Sequence, residues 1–299
     1  MYYLISGVLF ILSLLPFFVL YIISDIAFFF IYHIAGYRKK VVMNNLDIAF
    51  PGKTPNEKKI IAKQFYKNLV DTFIETIKIL SISEKEFDKR VSIDTKTCNE
   101  ILKYNNIQFH SGHQMNWEYA QLALARNLKV PWVAVYFEMN NKTINRLFLK
   151  IRQRFNSVMI STNDFFKQMR NISAERYALG LITDQNPGLP QSAFWLNFFN
   201  RPAPFIMGAD KGAIRNKTAV VFVNFVKIKR GYYRFDLKVI TENAGEFKPG
   251  ELTLLYRDFL ENTIRKQPAN YLWSHRRWKR EYKVEYRRRW IDKTSPPYS

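Results

Sequence analysis

The stretch Ile107-Gln108-Phe109-His110-Ser111-Gly112-His113-Gln114-Met115-Asn116-Trp117-Glu118 decides how this chain folds. Ile107–Phe109 reads as a short buried strand, a polar loop with a glycine follows, and a helix begins near Asn116. His113 then sits in the loop at a strand end. Further β-branched and aromatic runs lie at Val130–Phe137, Val158–Ile160, Leu179–Thr183, Ala219–Ile228 and Tyr232–Ile240, with segments between most of them long enough for helices. Strands alternating with helices predict an α/β fold, with a mixed, mostly parallel sheet covered on both faces. The last two runs, joined by Lys229-Arg230-Gly231, predict a hairpin. Thr54-Pro55-Asn56-Glu57 carries a capping box and a proline at the first helical position. Behind it Ile61, Phe65, Leu69, Phe73, Ile77 and Leu80 recur at helical spacing.

The composition points to a membrane. The 299 residues include 46 Lys and Arg against 25 Asp and Glu, a net charge of +21. A charge of this size calls for a polyanionic partner, nucleic acid or an anionic membrane surface. Residues 1–36 hold no Lys or Arg and only Asp25 as an acid, in a run longer than the ~20 residues that cross a hydrocarbon core. No basic n-region precedes the run and no small-residue cleavage site follows it, so it reads as an anchor rather than a signal peptide. Arg38, Lys39 and Lys40 come next and place the body on the cytoplasmic side. Pro16 and Asp25 mark a break between two shorter pieces in the alternative reading, and a hairpin seated in one leaflet stays open beside a full span. The expected organisation is an anchor over residues 1–36 and one cytoplasmic domain over 37–299. One cysteine, Cys98, excludes a disulfide framework and multi-cysteine metal sites. Residues 265–293 hold eleven Lys and Arg and three acids, with Trp278, Tyr282, Tyr286 and Trp290 spaced by four. That spacing predicts an aromatic stripe on a basic helix, suited to an anionic interface or packed on the domain. Nucleic acid is not expected, because no RRM, zinc-finger or helix-turn-helix signature accompanies the charge.

The chemistry centres on His113 and Glu118. If both were helical, five positions would turn through about 500° and separate them. With His113 in the loop, Glu118 can turn back onto the imidazole and form a dyad. A carboxylate on one ring nitrogen fixes the tautomer and stabilises imidazolium, leaving the other nitrogen to take a proton from an attacking hydroxyl. On spacing alone a satisfied structural hydrogen bond is the preferred reading.

The wider context changes that. Gly112-His113-Gln114-Met115-Asn116-Trp117-Glu118 resembles the GHxxNWE block of the bacterial lipid A biosynthesis acyltransferases, a branch of the lysophospholipid acyltransferase superfamily. Asn45-Leu46, Ala49-Phe50-Pro51 and Glu75 look like the family's N-terminal block, and Asn145 with Arg152-x-Arg154-Phe155 follows. Asp184-Gln185-Asn186-Pro187-Gly188 is similar to its DQxxG segment. Phe198-Phe199-x-Arg201-Pro202-Ala203 and Tyr271-Leu272-Trp273-x-His275-x-Arg277-Trp278-Lys279 complete an ordered likeness over nearly the whole chain. Asn156 and Asn200 stand where the family often has glycine, and Phe205-Ile206-Met207-Gly208 is bulkier than its pattern. These departures bear on acceptor identity and chain length.

The resemblance implies a glycerol-phosphate-acyltransferase-like fold and transfer of a fatty acyl group from an acyl carrier protein thioester to a hydroxyl of a lipid A precursor, at the bacterial inner membrane. It implies His113 as general base and Glu118 as its partner. Asn116 positions the dyad or thioester, or simply caps the helix. Arg152 or Arg154 stabilises an oxyanion or binds phosphate, and Asp184 holds an arginine. Gln185, Arg201, Arg277 and Lys279 are expected to touch substrate. His110 and His275 have weaker claims, as a packed core residue and a surface or interface contact. Thioester transfer requires no metal or cofactor. The competing readings are acylation of another lipid (a lysophospholipid or aminolipid, or with acyl-CoA as donor), a membrane-tethered lipid-binding protein without catalysis, and a membrane-associated nucleic-acid binder.

Overall fold

A computed structural model describes residues 2–172 and 175–297. Its central sheet has seven strands: β1 (Val91–Ile93), β2 (Ile107–Ser111), β3 (Trp132–Tyr136), β4 (Val158–Ser161), β5 (Ala178–Ile182), β8 (Ala219–Lys229) and β9 (Tyr232–Thr241), in the order β1-β9-β8-β2-β5-β3-β4. β8, β2, β5, β3 and β4 are mutually parallel. β9 turns back antiparallel from β8 as the predicted hairpin, and β1 runs parallel to β9. The six runs read from the sequence are all strands of this sheet.

Both faces are covered. Ile107, Phe109 and Val221 pack with Tyr119 and Leu122 of the Trp117–Asn127 helix. On the other face Val220 and Phe222 pack with Tyr256 and Leu260 of the Glu251–Lys266 helix and with Phe65 and Leu69 of the Pro55–Lys78 helix. The latter begins with the expected capping box between Thr54 and Glu57.

A separate antiparallel ribbon, β6 (Ala193–Phe198) with β7 (Arg201–Ile206), is absent from the sequence reading. Pro202 and Pro204 argue against a strand, but in a two-stranded ribbon a proline's missing N–H can face away from the partner. The tip residues Phe199 and Asn200 both have positive φ, 51° and 60°, the two-residue turn that matches strand twist. Phe155 and Asn156 repeat the pattern at 61° and 64°. Asparagine tolerates this left-handed conformation, so both departures from the family's glycine keep a backbone shape; neither needs a groove to explain it.

The N-terminal residues form two helices, Tyr2–Leu14 and Phe17–Phe29, the second continuing as a wider turn over Phe30–Ile34. The break falls at Pro16 alone; Asp25 lies inside the second helix. The predicted basic helix near the C-terminus does not form. Residues 279–283 are irregular and Val284–Arg289 is a short 3-10 turn. Tyr282 and Tyr286 pack on Trp195 of β6 at 5.4 and 5.1 Å between ring centres, and Trp290 packs on Tyr282. A helix here would set like charges four apart (Arg276/Arg280, Lys279/Lys283, Lys283/Arg287), which disfavours it.

Candidate active site

Neighbouring parallel strands bring the site together. Ser111 at the end of β2 pairs with Ile182 at the end of β5, so two residues further on His113 stands opposite Asp184. This is where ligands of open α/β sheets bind, outside the carboxyl ends of the strands. His113 Nδ1 and Asp184 Oδ1 are 2.7 Å apart, and the His113 backbone N–H donates to Asp184 Oδ2 at 3.1 Å. Asp184 is buried. Burial alone would raise its pKa, but the facing imidazole and the hydrogen bonds from His113 and Tyr271 outweigh that and hold it below the usual carboxylate range. A charged Asp184 fixes the proton on Nδ1. Nε2 then faces the Gln185 side-chain amide at 3.1 Å, on a side chain about one-fifth exposed.

The loop is clamped from below. Leu272 N–H donates to the His113 carbonyl, Met115 N–H to the Asn270 carbonyl, and the Tyr256 hydroxyl to the Ser111 carbonyl. Asn116 accepts from the backbone N–H groups of Glu118 and Tyr119 as N-cap of the Trp117–Asn127 helix. Its amide donates to Glu75 at 2.9 Å. Glu75 is fully buried and also accepts from the Tyr233 and Tyr21 hydroxyls.

Glu118 does not reach the imidazole. Its carboxylate takes three hydrogen bonds from Arg152, of 2.6 to 3.0 Å, and one from the Trp117 indole. As the second helical residue it turns toward the Lys142–Arg152 helix, and the Trp117 ring stands against His113 instead, 5.9 Å between centres. The carboxylate partner of His113 is therefore Asp184 and not Glu118. Asp184 for its part holds the histidine rather than an arginine. Arg152 is spent on Glu118. Arg154 donates to the carbonyls of Ile79 and Ile82, where the Pro55–Lys78 helix ends, so it too lies outside the cluster.

Of the expected substrate contacts, only Gln185 touches His113. Arg277 is buried, donating to Asn186 Oδ1 at 3.1 Å and the Pro204 carbonyl at 3.0 Å. It ties the loop after Asp184 to β7. Arg201 is exposed at the start of β7 and Lys279 is exposed beyond Arg277. His275 is half-buried: it meets the Asn186 amide at 3.3 Å, and burial pushes its pKa down to about 4. His110 is a core residue between Phe222 and Tyr256, also lowered to about 4 by burial. Trp117, Tyr271 and Asn186 lie in the sequence motifs with no role evident from the sequence, and each shapes the site.

An imidazole with one nitrogen held by a buried carboxylate and the other toward the Gln185 amide can take the proton of a hydroxyl brought by a substrate, which suits the class of enzymes that work by a general base. Comparison with protein families makes the class particular. The family model for bacterial lipid A biosynthesis acyltransferases matches residues 1–280, and the chain belongs to that family. It is an acyltransferase, of a family that is membrane-associated and whose acceptors are of the lipid A type. Comparison with curated proteins gives no match.

Proposed function

We propose that the protein transfers a fatty acyl group from an acyl carrier protein thioester to a hydroxyl of a lipid A precursor, with His113 as general base and Asp184 as its partner. The observation that carries this reading is the 2.7 Å His113–Asp184 contact at the end of adjacent parallel strands. Nε2 takes the proton of the acceptor hydroxyl as its oxygen attacks the thioester carbonyl. Asp184 stabilises the imidazolium so formed. The tetrahedral intermediate collapses, the carbon–sulfur bond breaks, and the imidazolium returns its proton to the departing thiolate. The Gln185 amide meets Nε2 at 3.1 Å, so it swings aside as the hydroxyl arrives. A thioester is already activated, so the scheme requires no metal or cofactor.

Charge supports this donor and this location. Arg276, Lys279, Arg280, Lys283, Arg287, Arg288 and Arg289 are exposed on a strip that begins beside the Asp184–Gly188 loop, where Arg276 and Arg280 touch Asn186 and Gly188. Its aromatics are used on Trp195, which leaves a basic surface suited to an acidic carrier protein. The basic flank Arg38–Lys40 supports a body on the cytoplasmic face of the inner membrane.

The test is acyl transfer from acyl carrier protein to a lipid A precursor by purified, folded variants. His113→Ala and Asp184→Asn should each lower kcat by roughly 10²-fold or more, the span of a general base and its orienter. Glu118→Ala should instead cost roughly 3 kcal/mol of stability, the low end for a broken buried pair, because Arg152 keeps some contact with solvent. If Asp184→Asn transfers acyl chains as fast as the wild type, the proposed base is wrong. Mass spectrometry of lipids from cells lacking the protein would identify the acceptor and the chain it receives.

A further inference from the structure

Residues 17–34 form the one helix among the described residues long and apolar enough to cross a membrane. At 1.5 Å per residue its 18 residues reach about 27 Å, close to the thickness of a hydrocarbon core. Asp25 is the ninth of these residues, at the middle.

The helix is not free to stand apart from the body. Leu20, Ser24 and Phe28, four apart, are its buried stripe. Ser24 Oγ donates to Asp71 at 2.7 Å and the Tyr21 hydroxyl to Glu75 at 3.1 Å, both on the Pro55–Lys78 helix. Cations of the body meet it at every level. Arg90 lies 3.3 Å over the Phe17 ring. Arg230, in the β8–β9 turn, bonds Asp25 at 2.8 Å and Asp71 at 2.7 Å. Lys67 lies over Phe28 at 5.5 Å, and Lys39 over Tyr32 at 4.3 Å. Just before it, Lys78 Nζ donates to the carbonyls of Ser13 and Leu15.

An upright crossing would carry all of this into lipid. Asp25, Arg230 and the polar β8–β9 turn would lie at mid-core, where charged groups are costly and lipid-exposed irregular backbone does not occur. The opposite face tells where lipid does belong. Phe18, Ile22, Ile26, Phe29 and Phe30 are each more than half exposed, and so are Tyr3, Leu4, Val8 and Ile11 on the first helix.

We infer that residues 2–34 lie along the body and seat it in a single leaflet, with the N-terminus and the catalytic domain on the same side of the membrane. The occupant of the apolar face is the acyl-chain region of that leaflet. The conclusion does not depend on the identity of donor or acceptor.

The experiment uses full-length protein in right-side-out and inside-out membrane vesicles, with a protease-cleavable tag ahead of residue 1 in one version and behind residue 299 in another. Both tags should be cleaved in the same vesicle orientation and protected in the other. Cleavage in opposite orientations would show a crossing and overturn the inference. Alkaline carbonate washing of untagged membranes is the second arm. The protein should stay in the pellet, and release into the wash would mean that the apolar face does not enter lipid.

Discussion

Gly112 has no room for a methyl group. A Cβ placed there would stand 2.7 Å from Leu260 Cδ1, 3.4 Å from the Tyr256 hydroxyl and 3.7 Å from Asp184 Cγ. Something must shift: Leu260 Cδ1 is the tip of a side chain, but that side chain is itself packed in the core, so the strain is shared with the loop that carries His113. Gly112→Ala should cost about 1–3 kcal/mol by overpacking and lower kcat more than it alters KM, since it moves the base and not the substrate's remote contacts; chemical denaturation and steady-state kinetics on one preparation check both. The same crowding explains what the sequence could and could not reveal at this scale. His113 and Asp184 were each legible as polar residues following an apolar run. Their pairing was not, because 71 residues separate them and only the β2–β5 register joins them, whereas Glu118 is five residues away and offers a nearer carboxylate that the helix turns elsewhere.

At the scale of elements, period and propensity located the strands of the parallel sheet and the long capped helix, where pattern and burial agree. They failed where tertiary packing decides. Trp278, Tyr282, Tyr286 and Trp290 repeat at the helical interval, yet the chain there is mostly irregular, and what fixes it is the fully buried Trp195 ring gripped by Tyr282 and Tyr286. Ile291 N–H also donates to the Trp195 carbonyl at 2.9 Å. Trp195→Ala should therefore cost about 3–5 kcal/mol and release the segment after Lys279. Limited trypsin digestion reads this directly, since the segment is rich in Lys and Arg: early cuts should appear between Lys283 and Arg289 while the rest of the chain survives. A variant as resistant as the wild type would mean that the backbone, not the ring stack, holds the segment. The family match ends at residue 280, so Tyr282 and Tyr286, which grip Trp195, lie in a part of the chain that the family pattern does not describe.

His110, His275 and Asp184 should take stability from the molecule as a whole in acid in two separate windows, against the opposite pull of Glu75 and Asp210, whose pKa values burial raises. His110 is buried among apolar and aromatic side chains, and burial lowers its pKa from 6.5 to about 4; His275 is lowered to about 4 by burial in the same direction. For a base depressed in the folded state, both folded and unfolded chains are neutral above pH 6.5, so nothing changes there. Between 6.5 and 4 the unfolded histidine binds a proton that the native one refuses, and stability falls as pH falls. For His110 the loss approaches roughly 3 kcal/mol once pH drops below its native pKa. Asp184 acts lower: its native pKa is held below the usual carboxylate range, so its contribution is intact down to about pH 4, where unfolded aspartates begin to protonate, and goes only below that. Urea unfolding in detergent should accordingly show a flat midpoint from pH 8 to 7 and a decline from 6.5 to 4.5. His110→Gln removes one titrating group while keeping a polar side chain beside Gln108, so its decline should be shallower. An equal slope in that variant would mean that His110 does not resist protonation in the folded protein, and that growing repulsion within a chain of net charge +21 drives the acid sensitivity instead.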